Sequence, residues 1–248
     1  MAQPSAAQDI AEAVRRAFRA EPRLGPGFAL ERIALEGDGV LALEGAVAHL
    51  SQKKLALLRA AAVPGVIEIV DRMRVAAAPA TDRNIRVALR ELFARDPSFA
   101  DLEIREDVAE GVLKTDFRPV SGVPAAMGRI DIEVNEGVVT LNGTVPALVR
   151  KRLAGAMTWW VPGVRDVVNG IAVVPPEEDG PDRIEEAVRI VLEGNRAVDA
   201  SQIRVGVRHR VVRLTGLVHS DAAREIVEND AWAVFGVDDV IDEIEVRA

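Results

Sequence analysis

Apolar residues recur in three stretches at a spacing of four. Ile10, Val14 and Phe18 form the first, Ile85, Leu89 and Phe93 the second, and Ile184, Val188 and Leu192 the third. Such spacing lines one face of an α-helix, so each stretch predicts an amphipathic helix. Asp9 and Asp82 stand just before two of these stripes as expected N-caps, and Pro181 with Asp182 opens the third. Glu21-Pro22 and Asp96-Pro97 are expected to end the first two helices, because a residue before proline avoids the α region. After each helix the period changes to two. Ile33 and Leu35, then Ile130, Ile132 and Val134, then Ile203, Val205 and Val207 alternate with polar residues, which predicts strands with one buried face. Turn residues follow, and the second strands send Leu41/Leu43, Val139/Leu141 and Val212/Leu214 inward. Arg210 stands where the other two turns have glycine, so the third turn is expected to avoid a positive φ. A second helix carries Leu55, Leu153 and Ile226 at equivalent places, and a last strand carries Met73/Val75, Ile171/Val173 and Ile244/Val246.

The same order, αββαβ, is thus predicted three times. Two signatures fix the register between copies. Residues 39–45 read Gly-Val-Leu-Ala-Leu-Glu-Gly, 137–143 read Gly-Val-Val-Thr-Leu-Asn-Gly, and 210–216 read Arg-Val-Val-Arg-Leu-Thr-Gly. The second signature is Val-Pro-Gly-Val at 63–66 and 161–164, and Val-Phe-Gly-Val at 234–237. From Gly45 to Gly65, Gly143 to Gly163 and Gly216 to Gly236 the distance is 20 residues each time. The expected fold class is α+β: three tandem αββαβ modules, each a three-stranded mixed sheet with two helices on one face. The expected boundaries are 8–76, 82–174 and 182–247, joined by Pro-containing linkers that act as semi-stiff spacers. Modules this small are marginal alone, so the copies are expected to lean on each other.

The middle copy is longer. Ile85 to Gly143 spans 58 residues, against 35 from Ile10 to Gly45 and 32 from Ile184 to Gly216. The excess lies at about 101–128 and reads either as an inserted hairpin or as a helix through Ile104, Val108 and Val112. It is expected to be peripheral, since two copies manage without it.

Composition narrows the function. Of 248 residues 49% are hydrophobic and 28% charged, as in a folded globular chain, and the net charge of -8 argues against nucleic-acid binding. With no cysteine there is no disulfide, thiolate catalysis or Cys-based zinc site. His49, His209 and His219 have no metal-ligand spacing, no GxGxxG or Walker A loop is present, and the carboxylates are scattered. No enzyme, metal or cofactor is expected. No stretch is apolar enough for a transmembrane segment. The N-terminal residues show no secretory signal, so the expectation is cytoplasmic, with periplasmic as the alternative if a leader was removed.

The paired signatures, with Val167, Val168 and Asn169 following the second of them, resemble the BON domain family, named for bacterial osmotically induced and nodulation proteins. The resemblance covers nearly the whole chain except tails, linkers and insert. It implies an αββαβ fold, no catalysis, and a role in osmotic or envelope stress through binding of phospholipid or protein.

Two sets of residues are candidates for such binding. Lys53, Lys151 and Arg224 occupy one place in the first turns of the second helices, with Lys54, Arg150 and Arg152 beside them. A cation there opposes the helix dipole, so its presence in all three copies suggests an anionic contact, with a tolerated surface residue as the alternative. Arg150, Lys151 and Arg152 are expected on the solvent side of their helix. Arg204, Arg208 and Arg213 add a basic outward face to the third hairpin. Trp159 and Trp232, 16 residues after Gly143 and Gly216, are expected half-buried at module edges and are candidate interface residues, with core-edge packing inside their own module as the alternative, while Trp160 lies nearer the core stripe. The expected partner is an anionic lipid surface, or alternatively a protein, with self-association through sheet edges and open faces.

Overall fold

The structure, a computed structural model, describes residues 6–108, 111–114 and 127–247. The first repeat runs α1 (Ala6–Arg19), β1 (Arg32–Leu35), β2 (Val40–Val47), α2 (Leu50–Ala61) and β3 (Glu68–Val75). The second runs α3 (Asp82–Arg95), β4 (Glu103–Val108), β5 (Gly111–Lys114), β6 (Arg129–Asn135), β7 (Val138–Val145), α4 (Leu148–Thr158), β8 (Asp166–Asn169) and β9 (Ala172–Val173). The third runs α5 (Pro181–Gly194), β10 (Ile203–Arg208), β11 (Val211–Val218), α6 (Asp221–Ala233) and β12 (Asp239–Val246). The chain is α+β, and helix–strand–strand–helix–strand occurs three times. It forms two compact units that part between Ala76 and Ala77, the first holding one repeat and the second two.

Each repeat pairs its hairpin antiparallel and returns the last strand parallel to the hairpin's second strand, giving the orders β1-β2-β3 and β10-β11-β12. Period-two patterning decides which face is covered. Leu41, Leu43 and Met73 are buried with Val14, Phe18 and Leu55 of the helices, and Val212, Leu214 and Ile244 with Ile184, Val188 and Leu192. Each fully buried aliphatic side chain contributes roughly 1.5–3 kcal/mol. The opposite face of the first sheet is laced by ion pairs, Arg72 to Glu36 at 2.8 Å and Arg32 to Glu36 at 3.0 Å.

Glycine at the end of the first signature has a single cause in all three copies. Gly45, Gly143 and Gly216 have φ of 145°, 113° and 137°. A Cβ there would lie 2.9 Å from the Glu31 amide nitrogen, 2.3 Å from the Arg129 carbonyl oxygen and 2.0 Å from the Gln202 carbonyl oxygen. The neighbouring backbone comes too close for any side chain.

Several expectations are corrected. The insert is a hairpin, β4 with β5, and no helix runs through Ile104. Its first strand is not peripheral. β4 pairs parallel with β6, making a sheet ordered β5-β4-β6-β7-β8, and it buries Leu102 and Ile104 against the module's core. Much of the span expected for this insert, residues 109–110 and 115–126, lies outside the described residues. Asp9 is no N-cap, since α1 already includes Ala6; Thr81 rather than Asp82 caps α3, accepting from the Asn84 amide at 3.2 Å. Asp82 instead accepts from the amides of Glu136 and Gly137 in the β6–β7 turn, at 3.0 and 2.9 Å. His209 and Arg210 do adopt positive φ, 49° and 63°, because a two-residue hairpin with the strands' twist needs both central residues left-handed. Ile226 is half-exposed and Val227 takes the core position on α6.

Candidate interaction surfaces

The basic position on the second helices has an internal use. Lys53 is buried; its Nζ donates to the Met73 carbonyl at 2.9 Å and pairs with Asp71 of β3 at 3.1 Å. Arg224 donates to Asp242 of β12 at 2.7 Å, and this contact holds its guanidinium pKa above the usual arginine value. Asp71 and Asp242 each stand six residues after the second-signature glycine. Each also accepts from the amide two residues on, Met73 and Ile244, at 2.9 Å in both cases. The pair therefore clamps helix to sheet inside its own module.

In the second repeat that aspartate is Asn169. Its Oδ1 still accepts from the Ile171 backbone amide, at 3.3 Å, but its Nδ2 donates to the Lys151 carbonyl at 2.8 Å. The Lys151 side chain is left to another partner, and its ammonium lies 4.9 Å from the centre of the Phe235 ring in the third repeat. Arg150 pairs with Asp101, and Arg152 is fully buried. The expectation that Arg152 faces solvent is thus corrected, since it is enclosed between repeats, and Lys53, a candidate anionic contact, is buried against a sheet carboxylate. Lys54 is half-buried on α2. The sequence contained the signal, an acidic residue at constant distance from a signature glycine, but only pairing across the fold connects it to the lysine.

Within the second unit the seam between repeats is built from α4, α5 and α6. Arg152 donates from Nε to the Phe235 carbonyl and from Nη2 to Asp179, both at 2.7 Å. Glu177 accepts from the Leu148 amide at 2.9 Å. The 175–180 linker, expected as a spacer, is therefore a fastener whose carboxylates meet the start of α4 and Arg152. Trp160 donates its indole N–H to Asp230 at 2.8 Å, and Asn195 donates to the other oxygen of that carboxylate at 2.7 Å. Burial pushes the Asp230 carboxyl up to about 6, against the lowering effect of those two hydrogen bonds. Trp232 is buried at 1% exposure and donates to Glu228 at 3.3 Å, so it presents no surface to a partner; Trp159 is half-exposed at the end of α4. Beside Trp160 a cleft of about 590 Å³ opens between Leu92, Arg95, Val161 and Arg196.

The sheet edges differ between repeats. β6 has β4 added along its outer edge, and the buried Glu106 of β4 is held by Arg90 of α3 at 2.8 Å. Among the described residues no strand is added to β1 or β10, the corresponding strands of the other repeats. Arginine recurs at the place of Arg90, five residues after the first stripe residue, as Arg15 and Arg189. Arg204, Arg208 and Arg213 are exposed on the open face of the third sheet, with Arg213 paired to Glu243.

Among the described residues no group of His, Asp and Glu could hold a metal ion, and no helix is long and apolar enough to cross a membrane. No curated protein matches the sequence. Two solved structures of CdsD, a structural protein of the Type III secretion system of Chlamydia trachomatis, are similar to it at 14% identity. One covers 96% of this chain and 92% of its own at a TM-score of 0.24. The other, of the C-terminal domain, covers 100% of both at a TM-score of 0.23. The family model for the BON domain matches three times, at residues 6–77, 120–175 and 181–248, one match for each αββαβ repeat, and the chain belongs to the BON domain family.

Proposed function

We propose that this chain is a non-enzymatic binding protein of the bacterial osmotic and envelope stress class. It acts as a protein-interaction scaffold that takes up partner strands along open sheet edges. The observation that carries this reading is β4. One repeat has its β1-type edge filled by an added strand, paired parallel over four residues and pinned by Arg90 to Glu106. The other two repeats present the same edge unfilled among the described residues, with Arg15 and Arg189 at the place of Arg90. An unfilled edge offers a row of backbone donors and acceptors to an extended peptide, and side chains flanking it supply selectivity. Anionic lipid gains less support from the geometry, because Lys53, Arg150, Arg152 and Arg224 already have carboxylate partners within the chain.

A peptide with the sequence of residues 101–108 tests the reading against the full chain. Hydrogen exchange should slow at the amides of Ile203–Arg208 or Arg32–Leu35 as peptide is added. Unchanged exchange at both edges with peptide at millimolar concentration would refute it.

A further inference from the structure

The two edges of the third sheet carry opposite charge. On the open face, β10 presents Arg204, Gly206 and Arg208, all exposed, while β12 presents Asp239, Ile241, Glu243 and Glu245. Both are outermost strands of their sheet. We propose that the occupant of the β10 edge is β12 of a second copy of this chain, so that copies join head to tail into one continued sheet. This rests on the strand-addition reading above and names the partner.

Direction and register follow from the sheet. β11 is antiparallel to β10 and parallel to β12, so β10 and β12 run antiparallel. A second copy that continues the sheet with its helices on the same face brings its β12 antiparallel to β10. With Ile241 of the second copy opposite Gly206, Glu243 falls opposite Arg204 and Asp239 opposite Arg208. All three pairs point to the open face, where opposite charges on facing residues stabilise and like charges destabilise. Ile241, a large apolar side chain 37% exposed, then lies beside Gly206, where a Cβ would meet nothing within 4 Å. Arg204 would join the existing Arg213–Glu243 pair from the other side. Charge also excludes the symmetric alternatives. A β10–β10 contact sets arginines against arginines, and β12–β12 sets carboxylates against carboxylates. Only the heterologous pairing is complementary, and heterologous contacts propagate into rings or open chains rather than stopping at a dimer.

The absence of cysteine makes the test direct. In the Gly206→Cys/Ile241→Cys variant of the full chain the two thiols are two strands apart within one molecule, roughly 10 Å at the usual strand spacing and beyond disulfide reach. Mild oxidation should therefore give a ladder of linked copies, and neither single variant should give more than dimers in low yield. Sedimentation should show the wild-type mass rising with concentration above 26.7 kDa. Arg204→Glu/Arg208→Glu and Asp239→Lys/Glu243→Lys should each weaken association about tenfold or more, and mixing the two should restore it. A monomeric double-cysteine variant at high concentration would overturn the proposal, as would efficient dimers from Gly206→Cys alone. Peptide protection at β10 without a ladder would leave the strand-addition reading standing and remove the second copy as its occupant.

Discussion

The indole N–H of Trp160 reaches out of the second repeat and donates to Asp230 of the third at 2.8 Å. Phe at 160 would keep most of the ring but remove the donor, leaving Asp230, itself buried, with Asn195 as its remaining partner. Trp160→Phe should therefore destabilise the 77–248 unit by about 1–3 kcal/mol. Denaturant titration would show this as a lowered midpoint for that unit while the first repeat unfolds as before. An unchanged midpoint would mean that the Trp160–Asp230 hydrogen bond adds nothing net to the seam.

Lys53 and Lys151 occupy one sequence position and differ in what they touch. Lys53→Ala removes a buried cation from Asp71, whose side chain is 26% exposed, and should cost about 2–4 kcal/mol. Lys151→Ala removes a cation–aromatic contact at 4.9 Å and should cost under about 1 kcal/mol. Urea midpoints of the two variants decide it. Equal and small effects would mean that the Lys53–Asp71 pair contributes little net stability despite its burial.

The αββαβ order was legible because each element announces itself locally, through period four, period two and the two glycine signatures. Gly216 shows the limit of what is local: its spacing marks the repeat, but its reason is the Gln202 carbonyl across the hairpin. Arg210 was misread because a turn between twisted strands imposes a positive φ whatever residue stands there. The burial of Lys53 and Arg152 was not legible in the sequence. A lysine on a helix looks like a surface charge until the fold brings Asp71 to it, and Arg152 looks the same until Asp179 and the Phe235 carbonyl enclose it. Trp160 gave no sign of its role, since its partner lies 70 residues away.

Gly216→Ala tests the shared corner. The new Cβ would sit 2.0 Å from the Gln202 carbonyl oxygen at a φ of 137°. Backbone strain and overpacking together should cost about 2–4 kcal/mol. Gly206→Ala, in the same sheet with nothing within 4 Å of its Cβ, is the control and should be near neutral. Thermal melts of the two variants should separate by several degrees. Coincident melts would mean that the corner relaxes.

The pH response of the seam follows from Asp230. Its carboxyl rises from 3.8 to about 6, chiefly through burial, so between those values the folded chain holds a proton that the unfolded chain has released. A group bound more tightly to its proton in the folded state stabilises below its unfolded value and loses that contribution as pH rises through the folded one. The 77–248 unit should therefore become less stable, by about 2–3 kcal/mol from this group, on going from pH 4 to above about 6. Glu21 in the first repeat acts with the opposite sign. The Arg23 guanidinium, with Arg59, holds it down to about 2, so its contribution is present above 4.5 and is lost as pH falls toward 2. Asp230→Asn removes the titrating group and keeps an oxygen to accept from Trp160. The difference in unfolding free energy between wild type and Asp230→Asn, measured from pH 4 to 8, should move against the wild type as pH rises from 4 to about 6 and level off above it. A difference that stays flat across that range would show that the buried carboxylate keeps its charge through its two hydrogen bonds.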